Sequence, residues 1–214
     1  MKLVLHNYWR SSASHRVRIA LGLKGLPFEY RIINIVKRDQ FAEAYRAKNP
    51  MAQVPSLDIF EDDGTKIAIT QSLPILEYLE ERFPTPALLP REPYLRARVR
   101  SLAEIINSGI QPLQNLTTTN AVRALGCEAQ VWAGPFIASG LAAYAAAAAD
   151  VAGAFSVGDA PSFADCCLLP QLASARRFAV DYAHLPLLVD IEARCLALPA
   201  FAAAVPEAQP DAVA

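Results

Sequence analysis

The first strand and the first helix of this chain meet in one polar segment, Trp9-Arg10-Ser11-Ser12-Ala13-Ser14-His15-Arg16-Val17-Arg18. Before this segment, Leu3-Val4-Leu5 is typical of a short buried strand, and after it apolar residues recur at helical spacing until Gly25. Because free backbone N–H groups point out of a helix N-terminus, a serine there either caps the helix or helps to bind an anion. The residues alone leave both interpretations open.

The first 83 residues alternate between strand and helix patterns. Phe28 to Ile35 is rich in β-branched and aromatic residues, and Gln40 to Lys48 has the pattern of a short helix. Pro55 to Phe60 and Lys66 to Ile69 predict two strands joined by a turn, and Ser72 to Phe83 predicts a helix. The order βαβαββα indicates a small mixed sheet flanked by helices.

The rest of the chain has only helical patterns. All five lysines precede residue 70, the alanine-rich segments follow residue 95, and four prolines between residues 84 and 93 indicate a stiff connector. We therefore predict an α+β domain at residues 1–83, a linker at 84–93 and an all-α domain at 94–214. Ser162-Phe163-Ala164-Asp165 has the form of a helix capping box. The predicted helices of the second domain are Leu95 to Asn107 continuing towards Leu116, Glu128 to Val151, Ser162 to Val180, and Leu187 to Leu198.

Composition and charge exclude several classes of protein. The 20 Lys and Arg against 21 Asp and Glu argue against a nucleic-acid binder, and 53% apolar residues argue against a disordered chain. The uncharged stretch 131–149 is interrupted by Gly134, Pro135 and Gly140, so we expect a helix of a soluble protein and no membrane span. The start of the chain lacks a secretory signal, which predicts a cytoplasmic protein. The spacing of the cysteines and histidines predicts free thiols and no metal site.

Two further segments are candidates for ligand binding. In Asn49-Pro50-Met51-Ala52-Gln53-Val54-Pro55-Ser56-Leu57, Pro55 lies at the start of a strand. In the cis form this proline would expose the backbone N–H and C=O of Val54 to an extended ligand, although the trans form is much commoner. Gln71-Ser72 opens the last helix of the first domain, where a plain helix cap and an anion site are both possible.

Taken in their order along the chain, these segments resemble the glutathione transferase superfamily, and most closely its zeta class, the maleylacetoacetate and maleylpyruvate isomerases. The resemblance covers nearly the whole chain and includes Gly109-Ile110-Gln111-Pro112-Leu113-Gln114-Asn115, Arg177-Phe178 and Gln209-Pro210-Asp211. It implies a thioredoxin-like N-terminal domain, an all-α C-terminal domain, a homodimer, and glutathione as the cofactor.

The resemblance also implies roles for individual residues. Ser11 would stabilise the glutathione thiolate, with Ser12 beside it, and Val54 would pair with the cysteinyl backbone of glutathione while Pro55 takes the cis form. The other residues expected to bind glutathione are Gln71 and Ser72 at its γ-glutamyl end, and Gln40, Gln111 and Asn115.

The implied activity is a cis–trans isomerisation of maleylacetoacetate or maleylpyruvate, both small diketo acids. Addition of a thiolate makes the conjugated double bond single, so that it can rotate before the thiolate leaves. Arg10 and Arg177 would meet the carboxylates and the developing charge, although Arg176, about 100° around the helix, competes with Arg177 for that place. The alternative is a general zeta-class transferase that conjugates electrophiles or haloacids and consumes glutathione.

Overall fold

The computed structural model describes residues 1–213, which form two compact units. The first unit contains residues 1–87 and 199–213, and the second contains Leu88–Leu198. The βαβαββα order predicted for the first unit is confirmed. The elements are β1 (Lys2–Asn7), α1 (Ser12–Leu23), β2 (Glu29–Ile32), α2 (Glu43–Arg46), β3 (Ser56–Phe60), β4 (Lys66–Thr70), α3 (Ser72–Arg82), α4 (Pro93–Asn107), α5 (Gln111–Gln114), α6 (Leu116–Ala124), α7 (Ala129–Ala148), α8 (Phe163–Arg177), α9 (Pro186–Leu196) and α10 (Pro199–Ala202), with 3₁₀ turns at Asp39–Phe41 and Pro206–Ala208.

The sheet of the first unit has four strands in the order β2-β1-β3-β4. Strand β1 is parallel to β2 and antiparallel to β3, so Leu5 lies between Tyr30 on one side and Leu57 on the other. Both central strands are buried along almost their whole length, and Leu5, Leu57 and Ile59 are inaccessible to solvent. Helices α1 and α3 pack against each other. The carboxyl end of β1 therefore leads directly into the N-terminus of α1.

The C-terminal segment packs in the first unit, whereas the sequence analysis assigned residues 94–214 to the helical domain. Helix α10 lies on α1, and Gly22 permits this approach, because a Cβ atom at Gly22 would lie 3.2 Å from Cβ of Ala200. The sequence patterns predicted no helix after Leu198, and composition does not reveal which surface this segment packs against. The boundary between the units, at Ala87 and Leu88, lies within the predicted linker.

Helix α4 forms the centre of the second unit, where it packs against α7 and α8. Its buried residues Val99, Leu102, Ala103 and Ile106 recur at helical spacing. The predicted continuation of this helix towards Leu116 is wrong, because the chain turns after Asn107 and forms the separate helices α5 and α6. A glycine is required at this turn, since a Cβ atom on Gly109 would lie 2.5 Å from the carbonyl oxygen of Ile105.

Helix α7 is long and apolar enough to cross a membrane when judged by length and composition alone, which is weak evidence because core helices meet the same criterion. Ala133, Ile137, Leu141 and Tyr144 form its buried face. At Gly140 the helix approaches Ile110 so closely that a Cβ atom would lie 2.5 Å from the Ile110 side chain. One face of α7 therefore packs within the second unit.

The capping box at the start of α8 is confirmed. The buried Asp165 carboxylate accepts hydrogen bonds from the backbone N–H and the hydroxyl of Ser162, both at 2.8 Å, and from the backbone N–H of Ser156 at 2.8 Å. Burial raises the pKa of Asp165, and these donors partly offset that effect. The cysteines are free thiols, as predicted, and Cys166, Cys167 and Cys195 are buried.

Candidate active site

Ser11 is the N-cap residue of α1. Its Oγ accepts a hydrogen bond from the backbone N–H of Ser14 at 3.2 Å, and its carbonyl oxygen accepts from the backbone N–H of His15 at 2.9 Å. The cap uses the hydroxyl only as an acceptor, so its hydrogen is available to an anion at the helix N-terminus. The two interpretations that the sequence left open are therefore compatible. Ser12 is the first residue of the helix and is half-buried.

Arg10 is exposed beside Ser11, with its guanidinium carbon 5.4 Å from the centroid of the Trp9 ring. Trp9 is buried in a small cluster with Tyr8, Tyr45 and Val54. A cation above an aromatic ring is attracted by the electrons of the ring face, so this contact orients the Arg10 side chain while its charge stays in solvent.

The Val54–Pro55 peptide is cis, as the resemblance implied and against the general preference for trans. The carbonyl oxygen of Gln53 accepts two hydrogen bonds at 2.7 Å, from the Tyr45 hydroxyl and from Nδ2 of Asn49. Two donors on one carbonyl hold the peptide group that precedes Val54. The burial of Tyr45 raises its pKa, which keeps its hydroxyl protonated as a donor at neutral pH.

The N-terminus of α3 joins this group of segments. Ser72, the first residue of the helix, accepts a hydrogen bond at its Oγ from Nη1 of Arg16 at 3.1 Å. Gln71 has a left-handed φ of 69°, and its Nε2 donates to Oε1 of Gln53 at 3.3 Å. The structure therefore brings together three segments that are far apart in the sequence, those at Ser11, Val54 and Gln71.

Gln40 lies in the 3₁₀ turn between β2 and α2 and is buried. Its Nε2 donates to the carbonyl oxygen of Ile35 at 3.3 Å, and Ile35 packs against the cluster that contains Trp9 and Val54. Its Oε1 is buried and has no hydrogen-bond partner within residues 1–213. A buried acceptor of this kind is usually satisfied, so a donor on a bound ligand would complete its hydrogen bonding.

The remaining predicted residues lie in the second unit. Gln111 begins α5, and Asn115 caps α6, with its Oδ1 accepting from the backbone N–H of Thr117 at 3.0 Å. Helix α5 is held by a contact that the sequence did not predict, a buried pair in which the side-chain amides of Gln114 and Gln171 donate to each other at 2.8 and 3.1 Å. No sequence pattern identifies two glutamines 57 residues apart as partners.

Arg176 and Arg177 end α8 and have different surroundings. Arg176 pairs with Glu192 at 2.6 Å and hydrogen-bonds the Tyr182 hydroxyl, and that hydroxyl also donates to Glu192 at 2.8 Å. Burial and the Glu192 carboxylate together raise the pKa of Tyr182 to about 12. The exposed Arg177 stacks over Phe178, 5.0 Å from its ring centroid. The charge of Arg176 is thus committed to a local ion pair.

A charged cluster beside the sheet was also not predicted from the sequence. His6 Nε2 lies 3.1 Å from Oδ2 of Asp58, and Lys48 hydrogen-bonds both groups. Burial would raise the pKa of Asp58, but the hydrogen bonds from Lys48 and His6 outweigh it and the pKa is lowered. Burial lowers the pKa of His6 in spite of its bond to Asp58. The available signal was an aspartate in the middle of an apolar strand.

Comparisons with known proteins agree with this architecture. The model of the family "Glutathione S-transferase, N-terminal domain" matches residues 5–87. A maleylacetoacetate isomerase of Mus musculus is 47% identical over 98% of this chain and 95% of its own length. A maleylpyruvate isomerase of a Ralstonia species is 44% identical over 97% of this chain and 98% of its own length.

Solved structures give the same result. The maleylacetoacetate isomerase of Anaeromyxobacter dehalogenans, with glutathione bound in its active site, superposes with a TM-score of 0.91 at 50% identity, over 99% of this chain and 98% of its own. A second structure of that enzyme holds dicarboxyethyl glutathione and citrate in the active site.

The fold of the first unit is that of the N-terminal domain of a glutathione transferase. Within that superfamily the chain belongs to the zeta class, the family of the maleylacetoacetate and maleylpyruvate isomerases.

Proposed function

We propose that this protein is a glutathione-dependent cis–trans isomerase of maleylacetoacetate or maleylpyruvate. The observation that carries the proposal is the geometry of Ser11, which caps α1 as an acceptor and keeps its hydroxyl hydrogen for an anion at the helix N-terminus. A thiolate is such an anion. The identities of the relatives, 44–47% over almost the whole chain, support the choice of this reaction within the superfamily.

The residues of the first unit fit glutathione by the chemistry of their donors and acceptors. We assign Ser11 and Ser12 to the thiol, the backbone of Val54 beside Pro55 to the cysteinyl peptide, and Gln71 and Ser72 to the γ-glutamyl end. The unsatisfied Oε1 of Gln40 is an acceptor for a ligand N–H group. The resemblance to the zeta class supports Gln111 and Asn115 as further candidates for glutathione binding.

Bound glutathione supplies a thiol nucleophile that can add to the conjugated double bond and leave again after rotation. The chain has to favour the ionised thiol. To move a thiol pKa of about 8.5 below 7 requires about 2 kcal/mol of preference for the thiolate. A hydrogen bond to a charged group contributes about 1.5–3 kcal/mol, and a helix N-terminus about 0.3–1 kcal/mol. The Ser11 hydroxyl and the N-terminus of α1 are together sufficient.

The arginines bind the substrate. Its carboxylates and the charge that develops on its carbonyl oxygen call for guanidinium donors, and we assign Arg10 and Arg177 to them. The Arg177-Phe178 pair, which matches the zeta class, supports Arg177 over its neighbour. The citrate held in the active site of the Anaeromyxobacter enzyme supports a carboxylate-bearing substrate.

We further propose that the protein works as a homodimer in the cytoplasm. The family relationship supports this assignment. Light scattering coupled to gel filtration measures the oligomeric state, and a monomeric mass would overturn the dimer.

The decisive experiment follows the ultraviolet absorbance of maleylacetone, a cis substrate mimic, with the protein and a trace of glutathione, and counts thiols before and after. An isomerase converts many equivalents of substrate per glutathione and conserves the thiol. Loss of thiol in step with substrate would instead identify a conjugating zeta-class transferase. The Ser11→Ala variant is the control that links the activity to the proposed site.

A further inference from the structure

The C-terminal motif Gln209-Pro210-Asp211 has no role in the site described so far, although it lies in the same unit as Ser11. Gln209 is buried, and its Nε2 donates to the carbonyl oxygens of Ala203 at 2.9 Å and Val205 at 2.8 Å. These two bonds close the segment that follows α10 on itself. The position of Asp211 is thereby tied to α10, and through α10 to α1.

The Asp211 carboxylate holds the start of the Ser11 turn. Its Oδ2 accepts a hydrogen bond from the backbone N–H of Trp9 at 3.1 Å, and its Oδ1 accepts from the Tyr30 hydroxyl at 2.5 Å. Tyr30 belongs to β2, whereas Trp9 is the second residue after β1. The next residue, Ala212, packs against the cluster that contains Tyr8 and Trp9. Each oxygen of the Asp211 carboxylate therefore accepts one hydrogen bond, and the two donors, Trp9 and Tyr30, come from different segments of the first unit.

The other side of the same turn is held by Arg18. Its buried guanidinium donates to the carbonyl oxygen of Trp9 at 2.9 Å, to that of Ala204 at 3.1 Å, and to Oδ1 of Asn7 at 3.1 Å. Burial lowers the pKa of Arg18 to about 10, so the side chain remains charged at neutral pH. Both polar groups of the Trp9 backbone are thus bound, the N–H by Asp211 and the carbonyl by Arg18.

Ser11 follows Trp9 by two residues and depends on this arrangement. The backbone N–H of Ser11 donates to the carbonyl oxygen of Tyr8 at 3.0 Å, which closes a tight turn around Trp9 and Arg10. A rotation of the Trp9 peptide groups would move both ends of that turn. The direction of the Ser11 hydroxyl is therefore coupled to the C-terminal segment through backbone hydrogen bonds.

We propose that Asp211 is a positioning residue for the isomerase reaction, which acts through Trp9 to aim the Ser11 hydroxyl at the glutathione sulfur. This inference rests on the proposed role of Ser11. Asp211 touches neither glutathione nor substrate in this assignment, and the C-terminal segment becomes part of the machinery that ionises the thiol.

The test is the Asp211→Asn variant, which keeps the shape of the side chain but replaces one acceptor oxygen by an NH₂ group facing a donor. We expect the thiol pKa of enzyme-bound glutathione, titrated by thiolate absorbance, to rise by about 0.5–1 unit. A rise of this size corresponds to partial loss of the charged hydrogen bond from the Ser11 hydroxyl to the thiolate. The pH–rate profile of kcat should shift by the same amount, with the KM for the diketo acid unchanged. Glu207→Gln is the matched control, because it removes the same charge from an exposed position in the same segment.

A second variant covers the case in which Asp211→Asn does not fold. Tyr30→Phe removes one donor to Asp211 and leaves the bond from Trp9, so it should produce a smaller shift in the same direction. A variant that melts at lower temperature but keeps the wild-type thiol pKa would show a purely structural role and overturn the proposal.

The failure of this inference is distinguishable from failure of the proposed function. If Ser11→Ala leaves the thiol pKa at the wild-type value, the role of Ser11 itself is wrong, and with it the basis of the inference. If Ser11→Ala raises the pKa and neither Asp211→Asn nor Tyr30→Phe does, the site assignment holds and only the role of Asp211 is refuted.

Discussion

Arg16 on α1 donates from Nη1 to the hydroxyl of Ser72, the first residue of α3, over 3.1 Å. Both side chains are buried. Since Ser72 receives this bond as an acceptor, its own hydrogen is available to a ligand at the N-terminus of α3. The contact joins α1, whose N-terminus we assign to the thiol of glutathione, to α3, which we assign to its γ-glutamyl end.

We therefore expect Ser72→Ala to weaken glutathione binding. The lost hydrogen bond to a charged ligand group corresponds to about 1–2 kcal/mol, or about 5–30-fold in the KM for glutathione. The kcat at saturating glutathione should change little, because the thiol end of the site is intact. Steady-state kinetics with varied glutathione measures both constants, and a fall in kcat with an unchanged KM would contradict the assignment.

Ser14→Ala is the matched control for this variant. Ser14 lies on α1, and its hydroxyl is buried like that of Ser72. Its Oγ, however, has no hydrogen-bond partner in the part of the chain that the structure describes. Its removal should leave the KM for glutathione within about twofold of the wild type, since no interaction is lost.

Replacement of Ser11 separates binding from activation. In Ser11→Ala the thiolate loses its hydroxyl donor, so the thiol pKa of bound glutathione should rise by about 1–2 units, which corresponds to about 1.5–3 kcal/mol. Glutathione affinity should remain near the wild-type value, because the contacts at Val54 and Ser72 persist. The loss of the helix cap should also cost about 1 kcal/mol of stability. An unchanged thiolate titration would refute the role of Ser11.

The sequence predicted the strands and helices of residues 1–83 because these elements have local signals. A serine before an apolar helical pattern indicates a helix start. Two β-rich segments joined by a turn indicate the strands that lie between Val54 and Gln71. The turn at Gly109 was missed because it depends on a backbone contact with Ile105 that only the folded chain reveals. The docking of α10 on α1 depends in the same way on the absence of a side chain at Gly22.

The charged residues that stabilise the site were the least predictable. Arg16 and Arg18 lie on an otherwise apolar helix, and each finds its partners in segments that follow far along the chain, at Ser72 and Ala204. Long-range hydrogen bonds of this kind leave no periodic pattern in the sequence. Their only local sign is a charge at a position that the helix buries.

Stability should fall with decreasing pH because of His15. This residue is buried on α1, and neither ring nitrogen has a hydrogen-bond partner among residues 1–213. Burial, with the nearby charge of Arg18, lowers its pKa well below 6.5. Below pH 6.5 the unfolded chain therefore binds a proton that the folded chain does not, and the free energy of unfolding falls by up to about 1.4 kcal/mol per pH unit.

The measurement is urea unfolding at several pH values between 5 and 7.5. His15→Leu should show a smaller dependence on pH, with the remaining slope arising in part from His6, whose pKa burial also lowers. His184→Leu, at an exposed position in the second unit, should keep the wild-type slope. Equal slopes in the wild type and in His15→Leu would show that His15 does not couple proton binding to unfolding.

The two arginines at the end of α8 should differ in kinetics. Arg177→Ala removes the guanidinium that we assign to a substrate carboxylate, so the KM for maleylacetone should rise about 10–100-fold, the equivalent of one charge-assisted hydrogen bond. Arg177→Lys should recover part of this loss, since it keeps the charge without the planar pair of donors. Arg176→Ala should leave kcat and KM near the wild-type values. It should cost at most about 1 kcal/mol of stability, because the ion pair with Glu192 that it removes is partly exposed. The opposite result, with Arg176→Ala impairing KM and Arg177→Ala silent, would assign the substrate to Arg176 and require its ion pair with Glu192 to open on binding.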